Sequence, residues 1–160
     1  MKIATLAIIE RGNEILFGRK IGSPEIGKGT LNGPGGKMES VDKTILDCVI
    51  RETSEETGIT LNPDKIEKIA IITFYAAGEP SFEVHVYRTS DFTGEPCETE
   101  SMIPEWHNRN AIPYERMLEA DPHFFPQLLR GEKFRTNVYY ERKAEGFIKI
   151  DPFLPLNDSD

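Results

Sequence analysis

"LNGPGGKMESVDKTILDCVIRETSEETGI", Leu31 to Ile59, runs from a glycine-rich turn through a mixed segment into a crowd of acids. Ile45, Cys48 and Val49 recur at i, i+3 and i+4, and Gly58 stands where a left-handed cap would stop a helix. The spacing predicts a helix over 44–57. Residues of a helix are rotated by about 100° each, so Glu52 and Glu56 share a face and Glu55 lies beside them. Three neighbouring carboxylates repel, and they sit near the helix C-terminus, where the macrodipole disfavours negative charge. Two readings meet that conflict. One is a solvated acidic face steadied by Arg51. The other is a ligand set for a hard dication, Mg²⁺ or Mn²⁺, which takes carboxylate oxygens and keeps positions for water and phosphate. Upstream, Gly33, Gly35 and Gly36 let main chain approach a ligand and offer it backbone groups. A loop of this kind feeding an acidic helix would cradle a metal-bound diphosphate.

The flanking sequence is rich in strand signals. "LAIIERGNEILFGRK" (6–20) reads as a hairpin turning at Arg11-Gly12-Asn13. "IGSPEIGKGTLNGPGG" (21–36) reads as loop. "IEKIAIITFYAA" and "SFEVHVYRTSDF" read as a second strand pair about Gly78-Glu79-Pro80. "PYERMLEA" and "FFPQLLRG" are short helix candidates, and "KFRTNVYYE" with "GFIKID" forms a last hairpin. The expected class is α+β, a mixed β-sheet packed between helices. No repeat or linker interrupts the chain, so residues 1–160 are expected to form one domain.

Composition narrows the function classes. With 27 acids against 19 bases the net charge is -8, which disfavours a grip on long nucleic acid through its phosphates. A small phosphorylated substrate remains open where metal ions neutralise it and the acids around it. "MKIATLAIIERGNEILFG" resembles a leader only briefly: Thr5, Glu10 and Arg11 interrupt it, and its alternation suits a strand. No apolar run reaches membrane-spanning length. Cys48 and Cys97 supply neither a disulfide framework nor ligand spacing. The cytoplasm is the expected location, with no membrane partner.

Arg51-Glu52-Thr53-Ser54-Glu55-Glu56-Thr57-Gly58-Ile59 resembles the second half of the Nudix box, Gx5Ex7REUxEExGU with U apolar. Arg51, Glu52, Glu55, Glu56, Gly58 and Ile59 match, and Thr53 replaces an aliphatic residue. The first half is one residue longer than the pattern: counting from Gly36 the acid falls on Asp42, and counting back from Arg51 it falls on Lys43. The resemblance implies a Nudix-like fold and hydrolysis of a phosphoanhydride in a nucleoside diphosphate derivative. It makes Glu52, Glu55, Glu56 and Gly36 metal ligands, Arg51, Glu55 and Glu56 catalytic, and Gly35, Gly36 and Lys37 the phosphate loop. Which acid takes the proton stays open.

Within that family the chain is most similar to the oxidised purine nucleoside triphosphate hydrolases, which convert 8-oxo-dGTP and related nucleotides to monophosphate and diphosphate. "LNGPGGK", "GEPSFEVHVY", "ESMIPEWHNRNAIPYERM" and "FFPQLL" have counterparts there in order. The similarity implies that Asn32 and Asp121 pair with the base and that Phe74 and Phe82 line its pocket. Leu118 takes the place of a stacking tryptophan, and Ala120 that of a second aspartate. A further metal acid aligns on Ser101, with Glu98 and Glu100 adjacent; Glu100 is the candidate. The expected enzyme is a monomer using Mg²⁺, or Mn²⁺, on a nucleoside triphosphate. A nucleotide sugar, dinucleoside polyphosphate or RNA 5′ end is the alternative substrate, and a nucleotide-binding module without turnover the alternative role. Trp106 is read as core or cleft wall, His85 as a strand residue, and Cys48 as buried; His107 and His123 lack partners at ligand spacing.

Overall fold

The computed structural model describes residues 1–24 and 26–160; Glu25, inside the stretch read as loop, lies outside them. In chain order the elements are β1 (Lys2–Arg11), β2 (Glu14–Lys20), β3 (Leu31–Asn32), α1 (Ile45–Thr57), β4 (Thr60–Leu61), β5 (Glu67–Ala76) and β6 (Glu79–Thr89). There follow β7 (Phe92–Thr93), β8 (Met102–Asn108), α2 (Phe125–Leu129), β9 (Phe134–Arg142), β10 (Glu145–Ile150) and β11 (Leu154–Pro155). Short 3₁₀ turns at Tyr114–Arg116 and Asp121–His123 precede α2. Among the described residues no helix is long and apolar enough to cross a membrane.

The strands form a mixed sheet in the order β10-β9-β5-β6-β1-β2-β3, with β8 pairing β2 and β11 pairing β9. Within it β1 is an inner strand, buried on both faces. Leu6 and Ile8 join a core with Phe17, Ile72, Val86, Phe124, Phe125 and Tyr140, while Ala7 and Ile9 join a second core with Val49, Leu61 and Tyr87. Alternation along a strand sends consecutive apolar residues to opposite faces. The run "LAII" therefore feeds both layers, as an inner strand must. The second core carries α1 and the first carries α2, so the sheet lies between helices, as expected.

The first hairpin exists only near its turn. β1 and β2 pair at Glu10–Ile15 and Arg11–Glu14, whereas β1 runs parallel to β6 from Lys2–Phe82 to Ile9–Thr89. β2 then leaves to pair with β8 along Glu14–Lys20. The second hairpin turns at Ala77-Gly78, one step before the expected site, with Glu79 and Pro80 already in β6. Both turn residues have positive φ, 52° and 81°, the twist a two-residue hairpin loop requires.

α1 forms as its sequence dictates, with Thr44 as its cap rather than its first turn. Asp47 N–H donates to Thr44 Oγ1 at 3.1 Å and Thr44 N–H to Asp47 Oδ2 at 3.1 Å, a reciprocal capping box. At the other end Gly58, at φ 81°, donates its N–H to Ser54 O. Cys48, Val49, Thr53 and Thr57 are the buried face. Thr53 thus fills an apolar slot, with its hydroxyl unpartnered among the described residues.

Candidate active site

A cleft of about 550 Å³ opens between the glycine loop, the first face of the sheet, and the turn before α2. Glu52 and Glu56 line one region of it; Asn32, Phe74, Leu118 and Asp121 line another. Glu52 and Glu56 share the cleft face of α1, as helical geometry requires. Glu55 is not among the lining residues: its carboxylate is 60% exposed and is held by Arg51 Nη1 at 3.2 Å.

Arg51 is the hub of the acids. Its Nε and Nη2 grip both oxygens of Asp42 at 2.8 and 2.7 Å, Nη1 reaches Glu52 at 3.0 Å, and Nη2 donates to Lys37 O at 3.2 Å. The Asp42 side chain is only 2% exposed, and the hydrogen bonds from Arg51 pull its carboxyl down to about 2. This assigns the extra residue upstream of the helix. Asp42, not Lys43, faces Arg51, and the turn carrying it closes through Glu39 N–H to Asp42 Oδ2 at 2.9 Å.

The glycines bring the loop against the protein's own groups. Thr5 N–H donates to Gly36 O at 2.9 Å and Ala7 N–H to Pro34 O at 2.7 Å, so the loop is laid along β1. A Cβ at Gly35 would overlap the Thr5 carbonyl, and one at Gly36 would lie 2.5 Å from the Glu52 carboxylate. Gly35, at φ 154°, donates its N–H to Glu56 Oε1 at 2.7 Å. Gly35, Gly36 and Lys37 all line the cleft, but the Gly35 amide is engaged by Glu56 and the Gly36 carbonyl by Thr5.

Burial raises the Glu56 carboxyl to about 7, with the neighbouring Glu52 charge adding to the shift, and burial raises Glu52 as well. Two partly desolvated carboxylates on one cleft wall form a hard-oxygen donor set, and the missing Cβ at Gly36 leaves room against Glu52. These residues fit a hard dication that completes its shell with water and phosphate. Among the described residues no three His, Cys, Asp or Glu side chains converge into a finished cage. Arg51 diverts Glu55. Glu100 also lines the cleft, with Ser101; Glu98 does not.

At the other region Asn32 Oδ1 accepts Gly33 N–H at 2.9 Å. Phe74 meets Phe124 edge-on at 6.2 Å. Phe82 is 8% exposed on the adjoining strand. Leu118 and Asp121 come from the turn before α2, and the buried Ala120 N–H donates to Tyr140 Oη at 2.9 Å. Asp121 is 4% exposed, with Oδ2 unpartnered among the described residues. Lys20 completes this region. Its pKa is lowered by burial, opposed by the charges of Glu56 and Asp121, and its Nζ donates to Ile26 O at 3.3 Å. Sequence reasoning missed Lys20 and Tyr140, because a lysine ending a strand and a tyrosine inside one look ordinary. The only hint was Lys20 closing an apolar strand directly before the loop.

Burial raises the Asp121 carboxyl to about 7. The folded protein therefore keeps a proton that the unfolded chain releases above about pH 4. This contribution to stability is full below that value and declines as pH rises toward 7. Asp121→Asn should melt increasingly above the parent protein between pH 4 and 8, by about 2–4 kcal/mol at the upper end. A melting difference independent of pH would contradict a protonated, buried Asp121.

Outside the cleft, Trp106 stacks on Phe92 at 6.2 Å under the Arg11 guanidinium at 4.0 Å. It packs on the α1 side and is not cleft wall. His85 and His107 pair with Glu83 and Glu105 at 2.9 and 2.8 Å. Cys48 is buried, Cys97 exposed, and both are free.

A family model described as NUDIX domain matches residues 1–128. An oxidized purine nucleoside triphosphate hydrolase of Danio rerio is 34% identical over 134 residues, 83% of each chain, and one of Mus musculus is 33% identical over the same span. Among solved structures, a MutT protein from Bacillus halodurans superposes with TM-score 0.78 at 22% identity, covering 94% of this chain and 97% of its own. A MutT NUDIX hydrolase from Burkholderia pseudomallei gives 0.66 at 26%, covering 79% and 97%.

Proposed function

This chain belongs to the Nudix family of hydrolases, and from that premise we propose that it is a Mg²⁺-dependent nucleoside triphosphate diphosphatase. Its preferred substrates are oxidised purine nucleotides such as 8-oxo-dGTP, cut to monophosphate and diphosphate, in keeping with the named activity of its relatives in Danio rerio and Mus musculus. Residues 1–160 act as one domain, as a monomer in the cytoplasm.

The observation carrying this reading is a single cleft holding two carboxylates of α1 in one region and an aromatic, amide and carboxyl set in another. Glu52 and Glu56 would hold the metal, with Glu100 as a third oxygen source, and Mn²⁺ would serve as well as Mg²⁺. A metal there supplies charge neutralisation on the phosphoryl oxygens and activation of water. Arg51 keeps Glu52 oriented and holds Glu55 outside the cleft. Asn32 and Asp121 meet the base edge, beside Phe74 and Phe82.

Leu118 and Ala120 favour a second, broader reading. Leu118 presents no ring face on which a purine could stack, and Ala120 presents no second carboxylate to read its edge. Losing such groups costs roughly tenfold or more in discrimination. The test is product analysis with Mg²⁺ on ordinary and oxidised dNTPs, ADP-ribose and a diadenosine polyphosphate. Oxidised purine triphosphates should react fastest, giving monophosphate plus diphosphate. Release of orthophosphate would contradict the cleavage position; faster turnover of ADP-ribose or the dinucleotide would establish the broader reading.

A further inference from the structure

The last carbonyls of a helix have no partner inside it. Two of those ending α1 are taken by one segment some forty residues away. Thr99 Oγ1 donates to Glu56 O at 2.8 Å, and Cys97 N–H to Thr57 O at 2.9 Å. The segment also closes on itself, through Thr99 N–H to Met102 O at 3.0 Å and Ser101 N–H to Thr99 Oγ1 at 3.2 Å. On its far side Ile21 N–H donates to Ser101 O at 3.0 Å. A Cβ on Gly22, at φ 73°, would stand 2.9 Å from Glu100 O. The Thr99 hydroxyl is therefore used as donor and as acceptor. It ties the backbone of Glu56 to the turn holding Glu100, and both residues line the cleft.

We propose that Thr99 is a positioning residue that fixes Glu100 in register with Glu56 so that one dication can take oxygens from both. This rests on the metal reading above but adds a residue that the box does not contain. A hydroxyl is required because a single atom must give one hydrogen bond and receive another. Valine keeps the shape and can do neither, while serine does both. Residues that orient metal ligands typically contribute about 10–100-fold to affinity.

The test is Mn²⁺ binding to EDTA-stripped protein, followed by electron paramagnetic resonance, with thermal melting as the control for folding. Thr99→Val should weaken Mn²⁺ at least about tenfold, and Thr99→Ser should stay within about threefold of the parent protein. On a Glu100→Gln background Thr99→Val should add less than about twofold, since the two changes act through one ligand. Unchanged Mn²⁺ affinity in folded Thr99→Val, a Thr99→Ser loss as large as that of valine, or full additivity with Glu100→Gln would each overturn the assignment while leaving the metal reading standing. Failure of the parent protein to bind Mn²⁺ would remove both.

Discussion

Glu56→Gln is expected to lower turnover by about 10³-fold while leaving the fold intact, the size of effect that follows loss of a carboxylate acting in proton transfer or metal-assisted hydrolysis. The change is nearly isosteric. The amide oxygen of glutamine can still accept the Gly35 N–H that Glu56 Oε1 now accepts at 2.7 Å. It cannot carry the charge that a dication needs. Stability should move in the opposite direction from activity. Burial holds the Glu56 carboxyl up to about 7, so above neutral pH the metal-free protein carries a poorly solvated charge that the amide lacks. At pH 8 without metal, Glu56→Gln should melt at or above the parent temperature. A variant that is inactive because it is unfolded would show the reverse, and retained turnover would remove Glu56 from the chemistry.

Arg51→Ala is expected to damage both stability and activity. The guanidinium makes a two-point contact with Asp42 and single contacts with Glu52 and Glu55. Removing it leaves the Asp42 carboxylate, 2% exposed while Arg51 covers it, without the cation that grips both of its oxygens. Breaking such a pair costs about 3–5 kcal/mol, and the lower end applies here because Arg51 retains some exposure. The pH dependence follows from the direction of the shift. Asp42 is depressed to about 2, so its contribution is present above about pH 4 and is lost as pH falls through the folded value. The stability gap between parent and Arg51→Ala should therefore be full at pH 7 and close toward pH 2. Arg51→Lys should recover only part of it, since an ammonium cannot form the forked contact. Turnover should fall about 10–100-fold, because Glu52 loses the group that orients it. A gap independent of pH would mean that Asp42 is not the partner that matters.

What could be read in the sequence was what local chemistry fixes. Thr44, the apolar spacing of Ile45, Cys48 and Val49, and Gly58 delimit α1 without outside help. The face shared by Glu52 and Glu56 follows from helical rotation alone. Asn32, Phe74, Phe82, Leu118, Asp121 and Glu100, placed by resemblance, all line one cleft. What escaped depends on distant partners. The parallel pairing of β1 with β6 joins residues half the chain apart, and adjacency made a local hairpin the natural expectation. β8 was unreadable because Pro104 and Glu105 interrupt any strand signal; it pairs with β2 on one side, where a missing proline N–H is tolerated. Glu55 turned outward because Arg51 offers a partner there, a contact that helical phase does not decide. Lys20, Tyr140 and Thr99 matter through single hydrogen bonds or charges across the fold, and no spacing announces those.

If a dication joins Glu52 and Glu56 at one cleft wall, its binding should depend on both carboxylates. Calorimetric titration of EDTA-stripped protein with Mn²⁺, in the parent and in Glu56→Gln, tests it most directly. Binding to the parent should be saturable and tightened by a non-hydrolysable nucleotide, and binding to the variant at least about tenfold weaker. No Mn²⁺ uptake by the parent with or without nucleotide, or equal affinity in both proteins, would contradict it.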